Sequence, residues 1–338
     1  MTQPPPGPDE PQPYPVYYQA APTGGYAVPI FGQQAGYDPL ISPNYGGWWQ
    51  RTIAILKTAW KPLATLQAIG VVANLIVSVP PSLYLVYLQS QLPQNDPNAP
   101  VQVTEVDLGP LLAVFGVTFL GIFLALLVQF AVVIASNHVG VAVASGMQPQ
   151  IGRSLALAAK RVFPLIGWQL LAGLITLVGF CACILPGFYL IAVFLVLPVI
   201  VTFERTNVIS RCFQLFHGDL GSSIARVATV WGISIGVAVI AGIIGQVIQV
   251  AFSGTESLTG NFETTGPVLT AALTIGIIVS SVFSAILTAA GSVLTAPLTL
   301  TAYADMRSRV EPGLSTARLA SEIELAPAAS PEWGAPPA

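Results

Sequence analysis

Stretches without any charged side chain set the pattern of this chain. Residues 108–152 contain no Asp, Glu, Lys or Arg, and the middle of that stretch carries Thr118 and Gln129 as its clearly polar side chains. A helix of about 20 apolar residues crosses the hydrocarbon core of a bilayer, and this stretch is longer than that. Further charge-free stretches cover residues 62–95, 162–203, 227–255 and 268–304. The pattern predicts an all-α, polytopic helical membrane protein.

Within these stretches we predict six transmembrane helices. They cover residues 62–95, 108–143, 164–181, 184–203, 227–255 and 268–304. A turn at Pro186-Gly187 separates the third from the fourth, and a re-entrant hairpin is the alternative for residues 164–203. Pro80 and Pro81 are expected to kink or end the first helix, because proline removes a backbone donor. The second helix would be about 54 Å long at 1.5 Å per residue, so we expect its C-terminal end to project from the membrane.

The terminal segments differ from the membrane domain, which we place at residues 47–311. Residues 1–46 are rich in Pro, Gly, Tyr and Gln and lack apolar periodicity, so we predict a disordered cytoplasmic tail. A docking tail for a protein partner, using Tyr14, Tyr17 and Tyr18 beside prolines, is the alternative. Residues 312–338 are predicted to form a flexible cytoplasmic tail, with at most a turn or two of helix.

The Lys and Arg residues predict the orientation of the chain. All 12 of them fall before the first span, between the second and third, between the fourth and fifth, or after the sixth. The other connections carry only Asp and Glu. Because cytoplasmic loops of membrane proteins are enriched in Lys and Arg, we predict a multi-pass plasma-membrane protein with both termini in the cytoplasm.

The overall composition narrows the class of protein. Of the 338 residues, 54% are hydrophobic and 8% are charged, whereas soluble domains average about 25% charged residues. There is no broad basic patch, so nucleic acid is not expected as a partner. Membrane lipids are the expected surroundings, and a protein partner for the N-terminal tail remains open.

A short pattern recurs before each span that would run from inside to outside. It places an apolar residue two positions before an Arg and further apolar residues at helical spacing, and its arginines are Arg51, Arg153 and Arg211. We therefore predict three cytoplasmic amphipathic helices, each followed by a transmembrane hairpin, as in a threefold repeat. In one interpretation the helices lie flat on the membrane and the arginines contact lipid phosphate. In the other they gate the inner mouth of a cavity between the three hairpins.

Few polar side chains fall inside the predicted spans. The candidates for the interior of the bundle, where they would bond to neighbouring helices or contact a ligand, are Asn74, Gln129, His138, Gln169, Gln246 and Gln249. No Asp, Glu, Lys or Arg lies within a predicted span. A pump driven by intramembrane carboxylates is therefore not expected.

Sequence signatures of catalysis are missing from the chain. It contains no Walker loop, no His-Glu-x-x-His and no Gly-x-Ser-x-Gly. Cys181 and Cys183 flank Ala182 near a predicted outer turn, but a metal site needs more ligands than this pair, and Cys212 is predicted on the other side. We expect no catalytic residue, no metal, no cofactor and no enzymatic activity.

Several segments resemble a known bacterial family. They are residues 184–190 (Ile-Leu-Pro-Gly-Phe-Tyr-Leu), 197–204, the helix at 211–218, and 303–309 (Tyr-Ala-Asp-Met-Arg-Ser-Arg). Together they resemble the membrane domain found fused to some glycerophosphodiester phosphodiesterases and often found alone. The Pro/Gly/Tyr-rich start is similar to that of actinobacterial proline- and glycine-rich transmembrane proteins. The resemblance implies six spans over residues 47–311 and implies no activity for the membrane domain by itself.

These observations favour a non-enzymatic membrane scaffold or partner-binding protein. The hypothesis rests on the Pro-rich tail and on the lack of charged groups at membrane depth. The alternative is a carrier or lipid-handling transporter with a cavity between the three hairpins. A polar or lipid-sized cavity in the structure would favour that alternative, and a solid core would exclude it.

Overall fold

The computed structural model describes residues 38–91, 108–253 and 271–323, and the regular secondary structure in these ranges is α-helix. The helices are α1 (Tyr45–Gln91), α2 (Leu108–Ala144), α3 (Ile151–Ala182), α4 (Ile184–Phe194), α5 (Leu197–Phe203), α6 (Val208–Gly218), α7 (Leu220–Ser253), α8 (Ala271–Val310) and α9 (Thr316–Glu322). The all-α fold class is confirmed. Most of the N-terminal tail prediction (1–37) and the end of the C-terminal one (324–338) lie outside the described residues.

Six helical segments are long and apolar enough to cross a membrane. They are Tyr45–Tyr84, Phe115–Ala144, Ile151–Ala182, Ile184–Phe203, Leu220–Phe252 and Thr274–Val310. The fourth segment combines α4 and α5. A turn at residues 195–196 separates these two helices, and Pro198 lies in the first turn of α5. The chain thus has the architecture of a polytopic membrane protein with six apolar spans, and residues 164–203 supply two of them.

The long helices pack in a row in which most neighbours are antiparallel. α1 packs against α2 on one side and α8 on the other, α8 packs against α7, α2 packs against α3, and α3 packs against α4. Glycines allow the closest approaches: a Cβ added at Gly121 would lie 2.9 Å from Val77, and one at Gly291 would lie 2.6 Å from Val237. Small residues of this kind let helix backbones approach closely in membranes.

Burial divides the bundle into two halves. The packed half comprises residues 40–67, 132–165, 193–230 and 294–323, and it contains nearly all the large buried side chains, such as Trp48, Ile134 and Tyr303. The open half comprises residues 68–91, 108–131, 166–192, 231–253 and 271–293. Large apolar side chains such as Leu174 and Ile243 are exposed there, as expected of surfaces that face acyl chains.

This division explains why the second charge-free stretch is so long. α2 has 37 residues, or about 56 Å at 1.5 Å per residue. Its last part, residues 134–144, is buried on all sides by other helices of the packed half. The first part of α2 is therefore apolar because it faces lipid, and the last part is apolar because it lies in a protein core.

Specific residues end and begin the helices of the packed half. Gly146 has a φ of +73° after α2, and the Met147 amide donates to the Ala142 carbonyl at 2.8 Å, as in the common glycine stop signal. The Asp219 carboxylate caps α7 by accepting from the Ser222 backbone N–H at 3.3 Å, and it also accepts from the Ser222 hydroxyl at 2.8 Å. A new helix therefore starts at Leu220, and α6 is separate from α7. The other two predicted amphipathic segments are not separate helices: they form the first turns of α1 and α3.

Some boundaries differ from the predicted ones. α1 continues through Pro80 and Pro81 to Gln91, because transmembrane helices tolerate proline where the freed carbonyls find other partners or a cavity. Residues 38–46 of the predicted tail are structured: Leu40 is fully buried, and the helix starts at Tyr45. Within the predicted C-terminal tail, α9 buries Leu319 against the bundle.

Candidate functional site

A cavity of about 1010 Å³ lies among α1, α2, α7 and α8 in the open half. Ligand sites in proteins commonly measure about 300–1,000 Å³, so this cavity is at the upper end of that range. Its lining contains amides and hydroxyls but no Asp, Glu, Lys, Arg or His among the described residues. The polar lining residues are Gln67, Asn74, Ser78, Ser82, Thr118, Gln129, Gln246, Gln249, Ser280, Ser281, Ser284, Thr288 and Ser292.

Four of the six residues predicted for the interior meet at this cavity. Asn74 comes from α1, Gln129 from α2, and Gln246 and Gln249 from α7, and all four line it. Gln169 of α3 is exposed and does not line it. His138 does not line it either, because it lies farther along α2 in the packed half, beside a different cavity of about 440 Å³.

Small residues in the lining bring the amides and hydroxyls close to the neighbouring helices. A Cβ added at Gly70 of α1 would lie 2.8 Å from the Gln129 Oε1 of α2. A Cβ added at Gly245 of α7 would lie 3.1 Å from the Ser284 Oγ of α8. Both distances are shorter than ordinary van der Waals contacts. A larger residue at Gly70 or Gly245 would therefore collide with the Gln129 or Ser284 side chain in its present position.

A row of hydroxyls on α8 forms one wall of the cavity. Ser280, Ser284, Thr288 and Ser292 recur at every fourth residue, which places them on one face of the helix. The Thr288 hydroxyl donates to the Ser284 carbonyl at 2.8 Å, and the Ser292 hydroxyl donates to the Thr288 carbonyl at 3.0 Å. Because both hydroxyl protons are used in these bonds, the Thr288 and Ser292 oxygens can offer a ligand only acceptor positions.

Other groups in the lining have hydrogen-bonding capacity to spare. The Thr118 hydroxyl oxygen of α2 is buried and has no hydrogen-bond partner among the described residues. Pro81 lacks the N–H group that would pair with the carbonyl of Val77, and both residues line the cavity. A buried polar group without a partner costs free energy, so a ligand that bonds to this wall would offset that cost.

The chemistry of the lining selects for uncharged polar groups. An ion would lose its hydration in a cavity at membrane depth and would find no opposite charge among the lining residues described here, which is costly. Amides supply both donors and acceptors, and hydroxyls add acceptors. Apolar residues such as Val71, Ile122 and Leu126 complete the wall. The arrangement therefore suits a molecule with both hydroxyl or amide groups and apolar surface.

The arginines predicted to contact lipid or to form a gate lie in the packed half. The Arg51 Nε donates to the Asp38 carbonyl at 2.7 Å, and its side chain is buried. Arg211 is buried in α6, where its Nε pairs with Glu204 at 2.7 Å. Arg153 is exposed at the start of α3. The three arginines do not come together at one site, and none of them lines the large cavity.

Glu204 is the centre of a buried ionic network. It follows α5 directly and accepts hydrogen bonds from the Arg211 Nε at 2.7 Å and the Tyr303 hydroxyl at 2.8 Å. Arg307 of α8 donates to the Tyr303 hydroxyl at 3.0 Å and lies 3.7 Å from Glu204. The network thereby joins α5, α6 and α8 in the packed half.

The same network holds the C-terminal helix against the bundle. Arg307 forms two hydrogen bonds with the carboxylate of Glu322, at 2.6 and 2.9 Å. It also pairs at 3.2 Å with Glu311, which in turn pairs with Arg211. Burial alone would raise the pKa of Glu311, but the hydrogen bonds and charges of Arg307 and Arg211 outweigh it and lower that pKa. Glu311 is therefore held in its ionised form.

A second ion pair lies deeper in the packed half. Arg226 of α7 pairs with Asp305 of α8, and both side chains are nearly fully buried. The Ser42 amide donates to the Asp305 carboxylate at 3.2 Å, and the Arg226 guanidinium lies 5.9 Å from the ring centroid of Trp48. The pair therefore joins α7, α8 and the segment before α1.

The cysteines do not form a metal centre with other residues. Cys181 and Cys183 are exposed at the turn between α3 and α4, and Cys212 is buried in α6. Burial raises the pKa of the Cys212 thiol to about 12, so this thiol stays protonated. Within the described ranges, no group of three or more His, Cys, Asp or Glu side chains is placed to hold a metal ion.

No family model, no curated protein and no solved structure matches this chain. The resemblance to the membrane domain associated with glycerophosphodiester phosphodiesterases therefore stays a prediction.

The sequence reasoning missed the hydroxyls of the cavity. It considered amides and His138 but not Ser280, Ser284, Thr288 and Ser292. Their spacing of four residues in an otherwise apolar helix was a usable signal, because it marks one polar face. Gln67 was missed for another reason: it lies only six residues after Lys61, close to the start of the charge-free stretch.

Proposed function

We propose that this protein is a membrane carrier for a lipid whose polar group is uncharged and rich in hydroxyls or amides. The observation that supports the proposal best is the large cavity in the open half, whose described lining residues offer many hydrogen bonds and carry no charge. Its mixture of polar and apolar lining matches an amphipathic molecule better than a fully polar solute. In this proposal the protein binds and moves its ligand without changing it chemically.

The position of the cavity supports a route for such a lipid. The lining residues belong to the charge-free stretches of α1, α2, α7 and α8, and the outward faces of these helices carry exposed apolar residues. The cavity lies between the first and third hairpins rather than among all three, since α3 and α4 supply none of its lining. A lipid would therefore bind between two hairpins that the packed half joins at one end.

The test is to identify lipids that remain bound to the full-length protein when it is extracted in native nanodiscs. We expect a neutral, polyhydroxylated lipid to be enriched over the bulk membrane, and the double variant Asn74→Leu/Gln129→Leu to lose that enrichment. Removing two or more hydrogen bonds at about 1 kcal/mol each corresponds to a loss of roughly 30-fold. Proteoliposomes would then show whether the wild type moves a labelled form of this lipid between leaflets.

Gln169→Leu provides the matched control. Gln169 lies on α3, is exposed and does not line the cavity, so this substitution removes an amide without touching the site. It should leave the enrichment unchanged. Lipid contents equal to those of the bulk membrane, or equal retention by the cavity variant and the wild type, would contradict the proposal.

We also propose that the packed half faces the cytoplasm. All 12 Lys and Arg residues of the chain lie in this half, and cations favour the cytoplasmic side. A reporter enzyme active only in the cytoplasm, fused after Ala338, should be active. Activity of a reporter that works only outside the cell would contradict this orientation.

A second candidate role is partner binding through the N-terminal tail. Asp38 secures the end of the tail: its carboxylate accepts from the Thr316 amide at 2.8 Å and from the Thr316 hydroxyl at 2.6 Å. Residues 1–37 therefore join the fold at the packed half, beside α9. Pull-downs with the full chain and with a chain lacking residues 1–37 test this role, and recovery of the same proteins by both would contradict it.

A further inference from the structure

The smaller cavity, of about 440 Å³, lies in the packed half and has a different chemistry. It is bounded by α2, α3, the connection between α5 and α6, and the end of α9. Three cations line it: Lys160 and Arg161 from α3, and Arg205 from the connection. Since the large cavity has no charged lining residue, the two cavities suit different ligands.

The acidic residues of this cavity are already neutralised by other partners. Glu204 accepts from Arg211 at 2.7 Å, and Glu322 accepts from Arg307 at 2.6 and 2.9 Å. Lys160 and Arg205 are exposed and form no ion pair with any part of the chain that the structure describes. The charge available to a ligand in this cavity is therefore positive.

Two further groups give the cavity a defined wall. The Arg161 Nη1 donates to the Val201 carbonyl at 3.1 Å and the Glu204 carbonyl at 3.3 Å, which fixes the guanidinium between α3 and the end of α5. His138 also lines the cavity and is 3% exposed. Its Nδ1 is buried and has no hydrogen-bond partner among the described residues.

The cations stand at the boundary of the charge-free stretch. Lys160 and Arg161 immediately precede residues 162–203, and Arg205 follows soon after them. Since charged side chains are costly within the hydrocarbon core, we expect lipid phosphates at the level of this boundary. Trp168 lines the apolar side of the cavity, and tryptophan favours the interface between headgroups and acyl chains. Phe163 is 69% exposed on the same helix, next to the path that an acyl chain would take.

We propose that this cavity binds the phosphate of an anionic phospholipid from the adjacent leaflet. Lys160 and Arg205 supply the charge, Arg161 forms the fixed wall, and Trp168 lies against the start of the acyl chains. Basic pockets of this kind on the cytoplasmic side of transmembrane helices suit anionic headgroups. The site is separate from the cavity of the open half, so it stands whether or not the protein is a carrier.

Native mass spectrometry of the full-length protein in detergent tests the proposal. The protein is titrated with phosphatidylglycerol in the presence of phosphatidylcholine of the same acyl chains. We expect the wild type to prefer phosphatidylglycerol. The variant Lys160→Gln/Arg205→Gln should bind it roughly 25-fold more weakly, at about 5-fold for each cation removed. The conservative variant Lys160→Arg should retain the preference.

The matched control is Lys57→Gln/Lys61→Gln. Both lysines are exposed on α1 just before a charge-free stretch, so the control removes the same charge at the same membrane level but away from the cavity. It should keep the preference. Equal losses in the two double variants would overturn the proposal, since they would mean attraction to the general surface charge. Displacement of the lipid by millimolar inorganic phosphate would also overturn it, because the site would then bind a free anion.

Discussion

The two halves of the bundle differ in the charge of their polar groups. The packed half contains ion pairs beside its neutral polar groups: Glu204, Arg307 and Glu311 share one network, and Arg226 pairs with Asp305. In the open half the described polar side chains are neutral, and many of them line the large cavity. The first arrangement joins helices, and the second leaves bonding capacity for something else.

The difference follows from the cost of burying charge. An ion within a bilayer is expensive unless it is paired, and a paired ion has little left to offer a ligand. Burying a neutral amide or hydroxyl at that depth costs less free energy, and such a group remains able to form a hydrogen bond with a ligand. We therefore expect the ion pairs to stabilise the packed half and the neutral groups to bind a ligand in the open half, and substitutions of these groups test both expectations.

The largest expected effect comes from breaking the buried pair of the packed half. Arg226→Met leaves the Asp305 carboxylate without its main cation in a site where it is 1% exposed, and such a loss costs about 3–5 kcal/mol. Thermal unfolding in detergent measures it. The double variant Arg226→Met/Asp305→Asn removes the stranded charge and should recover part of the loss. A single variant as stable as the wild type would show that this pair does not hold the half together.

Glu311→Gln should have the next largest effect, and the effect should depend on pH. The pKa of Glu311 is lowered in the folded protein, so its contribution is present at neutral pH and disappears as the pH falls through that lowered pKa. The loss should be about 1.5–3 kcal/mol at neutral pH, as for hydrogen bonds to charged groups. Unfolding curves at pH 7 and at acidic pH measure it. A difference between variant and wild type that did not shrink at acidic pH would contradict the assignment.

Thr52→Val should have a smaller effect on the packed half. The Thr52 hydroxyl oxygen lies 2.8 Å from that of Thr301, and both residues are fully buried between α1 and α8. The substitution keeps the shape but removes the hydrogen bond between the two helices, at a cost of about 1 kcal/mol, while the Thr301 hydroxyl keeps its bond to the Pro297 carbonyl at 2.8 Å. Chemical unfolding in mixed detergent measures it. Thr65→Val on α1 serves as control, because the Thr65 hydroxyl is exposed and bonds within its own helix.

Thr118→Val in the open half should change stability least. Its buried hydroxyl has no partner among the described residues, so replacing it by a methyl group removes an unsatisfied polar atom at nearly no cost or with a small gain. The same assay as for Thr52→Val measures it. Retention of the bound lipid should fall, however, if that hydroxyl belongs to the binding site. A loss of stability as large as that of Thr52→Val would contradict the contrast between the halves.

Parts of the fold and of the site were predictable from the sequence. Charge-free stretches predicted the six apolar spans, and polar residues isolated in those stretches predicted Asn74, Gln129 and Gln246 at an interior site. The four-residue spacing on α8 would have added Ser284 and its neighbours. The division of α2 into a lipid-facing part and a core part was not predictable, because both environments select the same apolar residues.

What the sequence determined by itself is where charge is absent and on which side of each span the cations lie, since the cost of moving a charge into hydrocarbon depends on the residue and hardly on its neighbours. The tertiary structure decided what the remaining polar groups do. Arg211, which the sequence suggested as a lipid contact, forms ion pairs with Glu204 and Glu311. Lys160 and Arg205 instead line a cavity. Which ions pair depends on which helix ends pack together, and that packing is determined by contacts between residues far apart in the chain.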